Sequence, residues 1–256
     1  MPIGYPFDGQ YDGIKNRLGM GAFSPNQLAG LSLWLDADDA STITEAGGSV
    51  SQWDDKSGNG NDATQTTEAS KPTTGISTIN GLNALDFDGD DDWLIGASGT
   101  ISISLSDHTI FFVAHLDTLD ELQCFINWND NTGSTNRELF CFVLASGNLN
   151  VNGTIGSSTI IGDDLQNTDM LVSINVNPGM TMVTRLDGVQ KTSNAISLVS
   201  SADAFSIAAE FDAGSVPGNF TNIKVGEIIM YDRNLSASET QAIEGYLSSK
   251  WGIALP

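Results

Sequence analysis

The chain has 256 residues, 40% of them hydrophobic, and its 32 acidic and 10 basic residues give a formal net charge of -22. This hydrophobic fraction is ordinary for a globular protein, so the acidic excess indicates a charged surface and not a disordered chain. Nucleic acids and anionic membrane surfaces attract Lys and Arg, so the sequence argues against both as partners. No apolar run is long enough for a transmembrane helix, and membrane insertion is not expected.

Residues 1–27 are predicted to form an extended N-terminal arm. Its aromatic side chains, Tyr5, Phe7, Tyr11 and Phe23, are spread along the segment without a sustained strand or helix period. A segment with so little apolar surface is ordered only when it packs on something else. We therefore expect these four side chains to anchor the arm, either to the body of the protein or to another subunit of an oligomeric assembly.

The first strand is predicted within residues 28–37, which read LAGLSLWLDA. Its leucines alternate with other residues, as in a strand with one buried face. A short strand follows at Val50 to Trp53, and then a turn rich in Asp, Ser, Gly and Asn that reads DDKSGNGND. A second acidic turn, DGDDDW, follows the apolar run ALDF.

From Ile101 to Tyr231 the chain alternates runs of strand character with polar turns, and no helical pattern intervenes. These runs read HTIFFVAHL, LQCFINW, LFCFVLA, NLNVNGTIG, MLVSINVN, MTMVTRLDG, AFSIAAEF and KVGEIIMY. Many short strands separated by turns are typical of a two-sheet antiparallel sandwich.

The only two cysteines, Cys124 and Cys141, lie in two apolar runs that flank the turn-like stretch NDNTGSTN. A hairpin centred between Thr132 and Gly133 would make the two thiols direct cross-strand neighbours, within the separation that a disulfide tolerates. The alternative, which we favour, is two reduced and buried thiols, because free cysteine is a common core residue.

The C-terminal segment predicts a strand followed by a helix. Residues Ile223 to Tyr231 are dense in β-branched and apolar side chains, and Ser236 with Glu239 has the spacing of a capping box. Apolar residues then recur at helical spacing at Ala242, Ile243, Tyr246, Leu247 and Trp251. Gly252 is expected to end this helix.

Four stretches together resemble the concanavalin A-like lectin/glucanase superfamily, in its laminin G-like jelly-roll branch. They are the LWLDA strand, the WDDKSGNGNDA turn, the ALDFDGDDDWL stretch and the closing strand, turn and helix with its terminal Trp-Gly. The likeness covers residues 28–252. It implies an all-β, two-sheet antiparallel jelly-roll sandwich with a short C-terminal helix, forming one domain over residues 28–256.

The two acidic turns are the candidate metal site. The carboxylates are those of Asp54, Asp55, Asp88, Asp90, Asp91 and Asp92. Oxygen-rich turns of this kind suit Ca²⁺, and laminin G-like modules often carry calcium near loops at the rim of the sandwich. The alternative is that these carboxylates are simply solvated on an acidic surface.

The resemblance also raises the question of glycoside hydrolysis. Laminarinase-type relatives place their acid and nucleophile on one strand as a Glu-x-Asp-x-x-Glu run. The nearest run here begins with Glu210 and Asp212, but Ser215 stands where the second glutamate is required. We therefore expect no hydrolase of this type, and we expect Glu210 and Asp212 to lie at a solvated strand end.

The histidines do not indicate a second kind of catalytic site. His108 and His115 lie seven residues apart on one predicted strand, which places them on opposite faces. A shared zinc site or a catalytic triad is therefore not expected.

Sugar binding requires an exposed aromatic ring beside polar groups. Trp128 with Asn129, next to the predicted hairpin turn, is the candidate glycan site. The other tryptophans, Trp34, Trp53, Trp93 and Trp251, fit roles in the core or in docking the helix.

Three classes of function follow. A non-enzymatic virion structural protein, of the phage capsid decoration or tail-fibre attachment type, fits the aromatic arm, the incomplete catalytic run and a first segment without a secretory signal. Its arm would contact other virion subunits, and its jelly roll would face outward and bind surface glycans. The alternative is a secreted, extracellular calcium-dependent carbohydrate-binding or adhesive module. A glycoside hydrolase fits the fold alone.

Overall fold

The computed structural model describes residues 23–96, 107–119, 122–129, 137–152, 158–160, 165–196, 204–210 and 217–256. Tyr5, Phe7 and Tyr11 of the predicted arm lie outside these ranges.

The described chain contains 17 strands and one α-helix. The first strands are β1 (Leu31–Asp36), β2 (Ile43–Ala46), β3 (Ser49–Trp53), β4 (Ala63–Thr64), β5 (Thr73–Ile79), β6 (Leu82–Asp88) and β7 (Leu94–Gly96). They are followed by β8 (His108–Leu116), β9 (Gln123–Asn129), β10 (Arg137–Val143), β11 (Leu149–Asn152), β12 (Ser158–Ile160) and β13 (Thr168–Val176). The last elements are β14 (Thr181–Leu186), β15 (Val189–Ala195), β16 (Ala204–Ile207), β17 (Asn222–Tyr231) and the helix α1 (Ala237–Trp251). This helix is too short and too polar to cross a membrane, and the described ranges hold no other candidate span.

The strands pair antiparallel and form two layers. The first sheet has the order β15, β14, β13, β8, β17, and the far edge of β17 pairs with β1 along one half and with β6 along the other. Strand β5 continues this sheet beyond β6. The second sheet has the order β12, β11, β10, β9, β16, β7, β4, β3, β2. The predicted all-β, two-sheet antiparallel fold with a C-terminal helix is confirmed.

The main core lies between the two sheets. On β8 the residues Ile110, Phe112 and Ala114 point into it, as strand alternation requires. The second sheet contributes Trp53 and Trp128, whose side chains are completely buried.

A second apolar layer covers the outer face of the first sheet. Phe111 and Ile229 of the sheet pack there against Ile243, Leu247 and Trp251 of α1. The predicted start of this helix is confirmed, because Ser236 and Glu239 form a complete capping box. The predicted end is also confirmed, since Gly252 adopts a left-handed conformation with φ 71.

The last residues of the predicted arm belong to this second layer. Phe23 packs edge-on against Tyr246, with ring centroids 6.5 Å apart. The Tyr231 hydroxyl donates a hydrogen bond of 2.8 Å to the carbonyl of Pro25. The chain is therefore fixed to the body from Phe23 onward, four residues before the predicted boundary at residue 27.

The register of the β9–β10 hairpin differs from the prediction. Cys124 lies opposite Phe142, and Cys141 lies opposite Ile126, because bulges shift the pairing. Cys141 points into the main core, whereas Cys124 packs with Phe140 and Phe142 on the outer face of the second sheet. The prediction that the two thiols are cross-strand neighbours is wrong. Both are free and buried, as the favoured alternative has it.

Candidate functional site

The acidic turn after β6 lies at the rim of the sandwich, where Asp88 pairs with Asn222 at the start of β17. Gly89 makes the sharp turn possible: its φ is 81, and a Cβ there would approach the Asn222 amide nitrogen to 2.8 Å. The Asp88 carboxylate then accepts a hydrogen bond of 2.8 Å from the Asp90 amide. The turn is thus held in shape by hydrogen bonds from its own backbone amides to the Asp88 side chain.

Among the residues that the structure describes, Asp88, Asp91 and Asp92 form one compact acidic group. One carboxylate oxygen from each lies within 4.8 Å of the others. Asp88 is exposed and Asp92 is buried, so the group runs from the surface inward. Three carboxylates at this spacing match the oxygen ligands that Ca²⁺ prefers, and the residues present therefore fit a calcium ion.

The protonation of Asp92 depends on whether a cation is present. Burial, together with the charges of Asp88 and Asp91, raises the pKa of Asp92 to about 7. Without a cation the folded protein therefore holds a proton on Asp92 more tightly than the unfolded chain does. The stabilisation of the folded state by the protonated Asp92 carboxyl group is complete below about pH 4 and is lost as the pH rises through about 7. A bound Ca²⁺ would reverse this loss by favouring the ionised carboxylate.

The other three predicted metal ligands are not part of this group. Asp90 is exposed and its side chain stands apart. Asp54 accepts a hydrogen bond of 2.7 Å from Gln52. Asp55 is used by its own loop, because its carboxylate accepts hydrogen bonds from the Trp34 amide (2.9 Å), the Ser57 amide (2.8 Å), the Ser57 hydroxyl (2.6 Å) and the Asn61 amide (3.1 Å). The WDDKSGNGND turn is therefore a structural loop that docks onto β1.

The tryptophans exchange the roles predicted for them. Trp128 was expected to be exposed, but its side chain is completely buried and packs against Phe205 with ring centroids 6.1 Å apart. That expectation is wrong, because Trp128 points to the inner face of β9. Of Asn129 the structure describes the backbone, at the end of the same strand.

Trp93, expected in the core, is only partly buried and directly follows the acidic group. We call Asp88, Asp91, Asp92 and Trp93 the rim site.

Glu210 is buried, and the prediction of a solvated strand end is wrong for this residue. Its carboxylate accepts a hydrogen bond from the side-chain amide of Asn219. Its backbone pairs with Gly218, which closes the loop between them. Asp212 lies outside the described residues.

His108 and His115 lie on β8 at positions that face opposite sides of the sheet. His108 is buried, whereas His115 Nδ1 lies 2.6 Å from a carboxylate oxygen of Asp169 on the neighbouring strand. The two histidines do not meet, in agreement with the prediction.

A buried carboxylate that the sequence analysis missed holds α1 on the first sheet. Glu227, in the middle of β17, has no exposed surface and accepts four hydrogen bonds. The donors are Trp34 Nε1 (2.7 Å), Tyr246 hydroxyl (3.0 Å), Lys250 Nζ (3.0 Å) and Trp251 Nε1 (2.8 Å). A single carboxylate inside the apolar run VGEIIMY was the signal that could have revealed it.

Comparisons with known proteins agree on the fold. No protein-family model matches the sequence, and no curated protein matches it. Among solved structures, Trypanosoma rangeli sialidase in complex with sialic acid matches with a TM-score of 0.67 and 15% identity, over 91% of this chain and 35% of that chain. The binding domain of Paraclostridial Mosquitocidal Protein 1 matches with a TM-score of 0.62 and 14% identity, over 88% of this chain and 53% of that one.

A third match is the binding domain of Botulinum neurotoxin serotype G, with a TM-score of 0.62 and 14% identity, over 87% of this chain and 54% of that chain. The present chain thus spans only part of each of these solved chains, from 35% in the sialidase to 54% in the neurotoxin domain. At such identities the likeness shows a shared fold alone. The likeness agrees with the all-β sandwich described above.

Proposed function

We propose that this protein is a non-enzymatic attachment module that binds carbohydrate at the rim site with the help of calcium, within the laminin G-like branch of the concanavalin A-like superfamily. The observation that carries the proposal is the partly exposed Trp93, which directly follows the three clustered carboxylates in the sequence. The similar solved chains include a sialidase in complex with sialic acid and two toxin binding domains, which supports a role in recognition.

The rim site has the two kinds of group that sugar recognition requires. An indole ring offers a flat apolar face, on which the C–H face of a pyranose packs. A calcium ion held by Asp88, Asp91 and Asp92 would offer coordination positions to sugar hydroxyl oxygens. The acidic surface around it disfavours anionic polymers, so neutral or calcium-bridged sugars are the ligands that we expect.

The proposal of a non-enzymatic role rests on Glu210. Retaining hydrolysis of the laminarinase type needs two carboxylates on one face of a strand, one as nucleophile and one as acid. Glu210 is buried against Asn219, and Ser215 replaces the second glutamate of the run. One buried carboxylate is not enough for both roles.

Glycan binding by the purified protein is the direct test. On a glycan array with calcium present, we expect the wild type to bind and Trp93→Ala to bind about tenfold more weakly or worse, a loss of about 1.4 kcal/mol. Asp91→Asn should abolish calcium-dependent glycan binding, because it removes one charged calcium ligand without changing the size of the side chain.

Asp90→Asn is the matched control, since Asp90 lies in the same turn but outside the acidic group.

Calcium should also raise the melting temperature of the wild type, more at pH 8 than at pH 5, because Asp92 must be ionised to bind calcium. No glycan bound by the wild type, or equal binding by Trp93→Ala, would refute the rim site. Release of sugar that disappears in Glu210→Gln would refute the non-enzymatic role.

We further propose that the module is displayed on a virion surface and attached through its first residues. The support is the aromatic content of residues 1–22 together with the strong negative charge, which discourages the folded bodies from associating with one another. Deleting residues 1–22 should leave a soluble, cooperatively folding monomer that no longer incorporates into its parent particle. Incorporation of the truncated chain, or its failure to fold, would contradict this attachment. Glycan binding by a protein with no parent particle would favour the extracellular alternative.

A further inference from the structure

A second cluster of charged side chains lies far from the rim site, between β1, the loop after β3, β17 and α1. Lys250 Nζ lies 2.5 Å from Asp36 Oδ1 and 3.0 Å from Glu227 Oε2. Lys56 Nζ lies 2.9 Å from the other oxygen of the same carboxylate, Asp36 Oδ2, and 2.7 Å from Asp39. Asp36 is 4% exposed and Glu227 is 0% exposed. Two half-buried lysines thus meet two buried carboxylates.

Aromatic rings enclose this cluster. Lys56 Nζ lies 4.5 Å from the centroid of the Trp34 ring, and Lys250 Nζ lies 5.0 Å from that of the Trp251 ring. Tyr246 closes another side through its hydrogen bond to Glu227. Keeping charges in such an enclosed place carries a desolvation penalty. A neutral amide in the same place would carry a smaller one, so condensation of a Lys–Asp pair is favoured here.

We propose that Lys250 and Asp36 join spontaneously in an intramolecular isopeptide bond, with Glu227 as the group that moves the proton. The bond forms between Lys250 Nζ and Asp36 Cγ, and the bond between Cγ and Oδ1 breaks. An ammonium and a carboxylate become one neutral amide and one water molecule, so atoms and charge balance without any further reagent. The proposal is independent of carbohydrate or calcium binding at the rim site.

Each neighbouring group has a role in this step. The Lys250 ammonium first passes a proton to Asp36 Oδ1, which gives a neutral amine and a neutral acid. The nitrogen electron pair then attacks Cγ, and negative charge collects on Oδ2 beside the Lys56 ammonium. Glu227 accepts one proton from Nζ and returns it to Oδ1, which leaves as water.

The protonation of Glu227 agrees with that role. Burial, followed by the charge of Asp36, raises the pKa of Glu227. The raised pKa makes this carboxylate a stronger base toward the proton on Nζ than an ordinary surface glutamate is. Lys250 Nζ already lies against the carboxylate that it would attack, so little entropy is lost in bringing the two groups together.

The bond would link β1 to the last turn of α1, two positions that are 214 residues apart in the sequence. It would close almost the whole sandwich into one covalent ring. A cross-link over so long a loop restricts the unfolded chain strongly. The outer helix would then stay attached to the sheet even when the rest of the protein is pulled or heated.

The intact mass of the purified full-length protein tests the proposal. We expect a mass lower than that of the sequence by one water molecule, and a protease digest containing a branched peptide that joins Asp36 to Lys250. Both should vanish in Lys250→Arg, which keeps the positive charge. In Glu227→Gln the cross-link should form at least about tenfold more slowly, since general acid–base groups contribute that much or more.

Lys224→Arg is the matched control, because Lys224 pairs with Asp117 outside this aromatic enclosure and should leave the missing water unchanged. Circular dichroism of each variant checks that it is folded. A wild-type mass equal to that of the sequence overturns the proposal. A mass deficit of one water that persists in Lys250→Arg also overturns it, because it would indicate a succinimide at an Asp-Gly step. A branched peptide that joins Asp36 to Lys56 overturns it as well.

Discussion

Trp251→Ala should lower the free energy of unfolding by about 3–5 kcal/mol, the range measured when a buried Trp or Phe is truncated. Its side chain is completely buried in the layer between α1 and the first sheet. The ring lies directly on Gly226 of β17, where an added Cβ would come within 2.9 Å of ring atoms. The sheet is therefore shaped to receive this one side chain, and its loss leaves a cavity that cannot easily close.

Chemical denaturation followed by far-UV circular dichroism measures this effect. Ser249→Ala is the control, because Ser249 is exposed on the last turn of the same helix and should change stability by less than about 0.5 kcal/mol. If Trp251→Ala unfolds at the same denaturant concentration as the wild type, α1 does not contribute to the stability of the sandwich.

The features that local sequence determines were predicted correctly. The capping box of Ser236 and Glu239, and the left-handed Gly252, depend only on neighbouring residues, and both are present. Strand alternation on β1 places Leu33 and Leu35 in the main core and Trp34 on the other face. Such patterns repeat within one element and need no knowledge of its partners.

Features that depend on which elements meet were not predictable in the same way. Bulges shift the β9–β10 register from the predicted pairing by one residue at Cys124 and by two at Cys141. Leu31 departs from the alternation of β1 for the same reason, since the pairing with β17 shifts between Leu31 and Leu33.

The rim site was predicted only in part. The acidic turn at Asp88, Asp91 and Asp92 could be found from composition, because carboxylates in one tight turn must lie close together. Exposure of a tryptophan could not, since Trp93 and Trp128 each stand next to a polar turn in the sequence. Which of them reaches the surface is decided by the second sheet and its neighbours.

Glu227→Ala is the second substitution for which we expect a large loss of stability, again about 3–5 kcal/mol, because two buried indole N–H donors lose their acceptor at about 1–3 kcal/mol each. These donors are the indole N–H groups of Trp34 and Trp251, whereas Lys250 keeps its contact with Asp36. Buried donors without an acceptor carry their full desolvation cost.

A further variant separates charge from shape at this position. Glu227→Gln keeps the size of the side chain and one carbonyl acceptor, so its loss of stability should be smaller than that of Glu227→Ala. Equilibrium denaturation of the two variants and the wild type gives the comparison. If Glu227→Ala is as stable as the wild type, the buried carboxylate does not hold the helix, and apolar packing around Trp251 alone accounts for its docking.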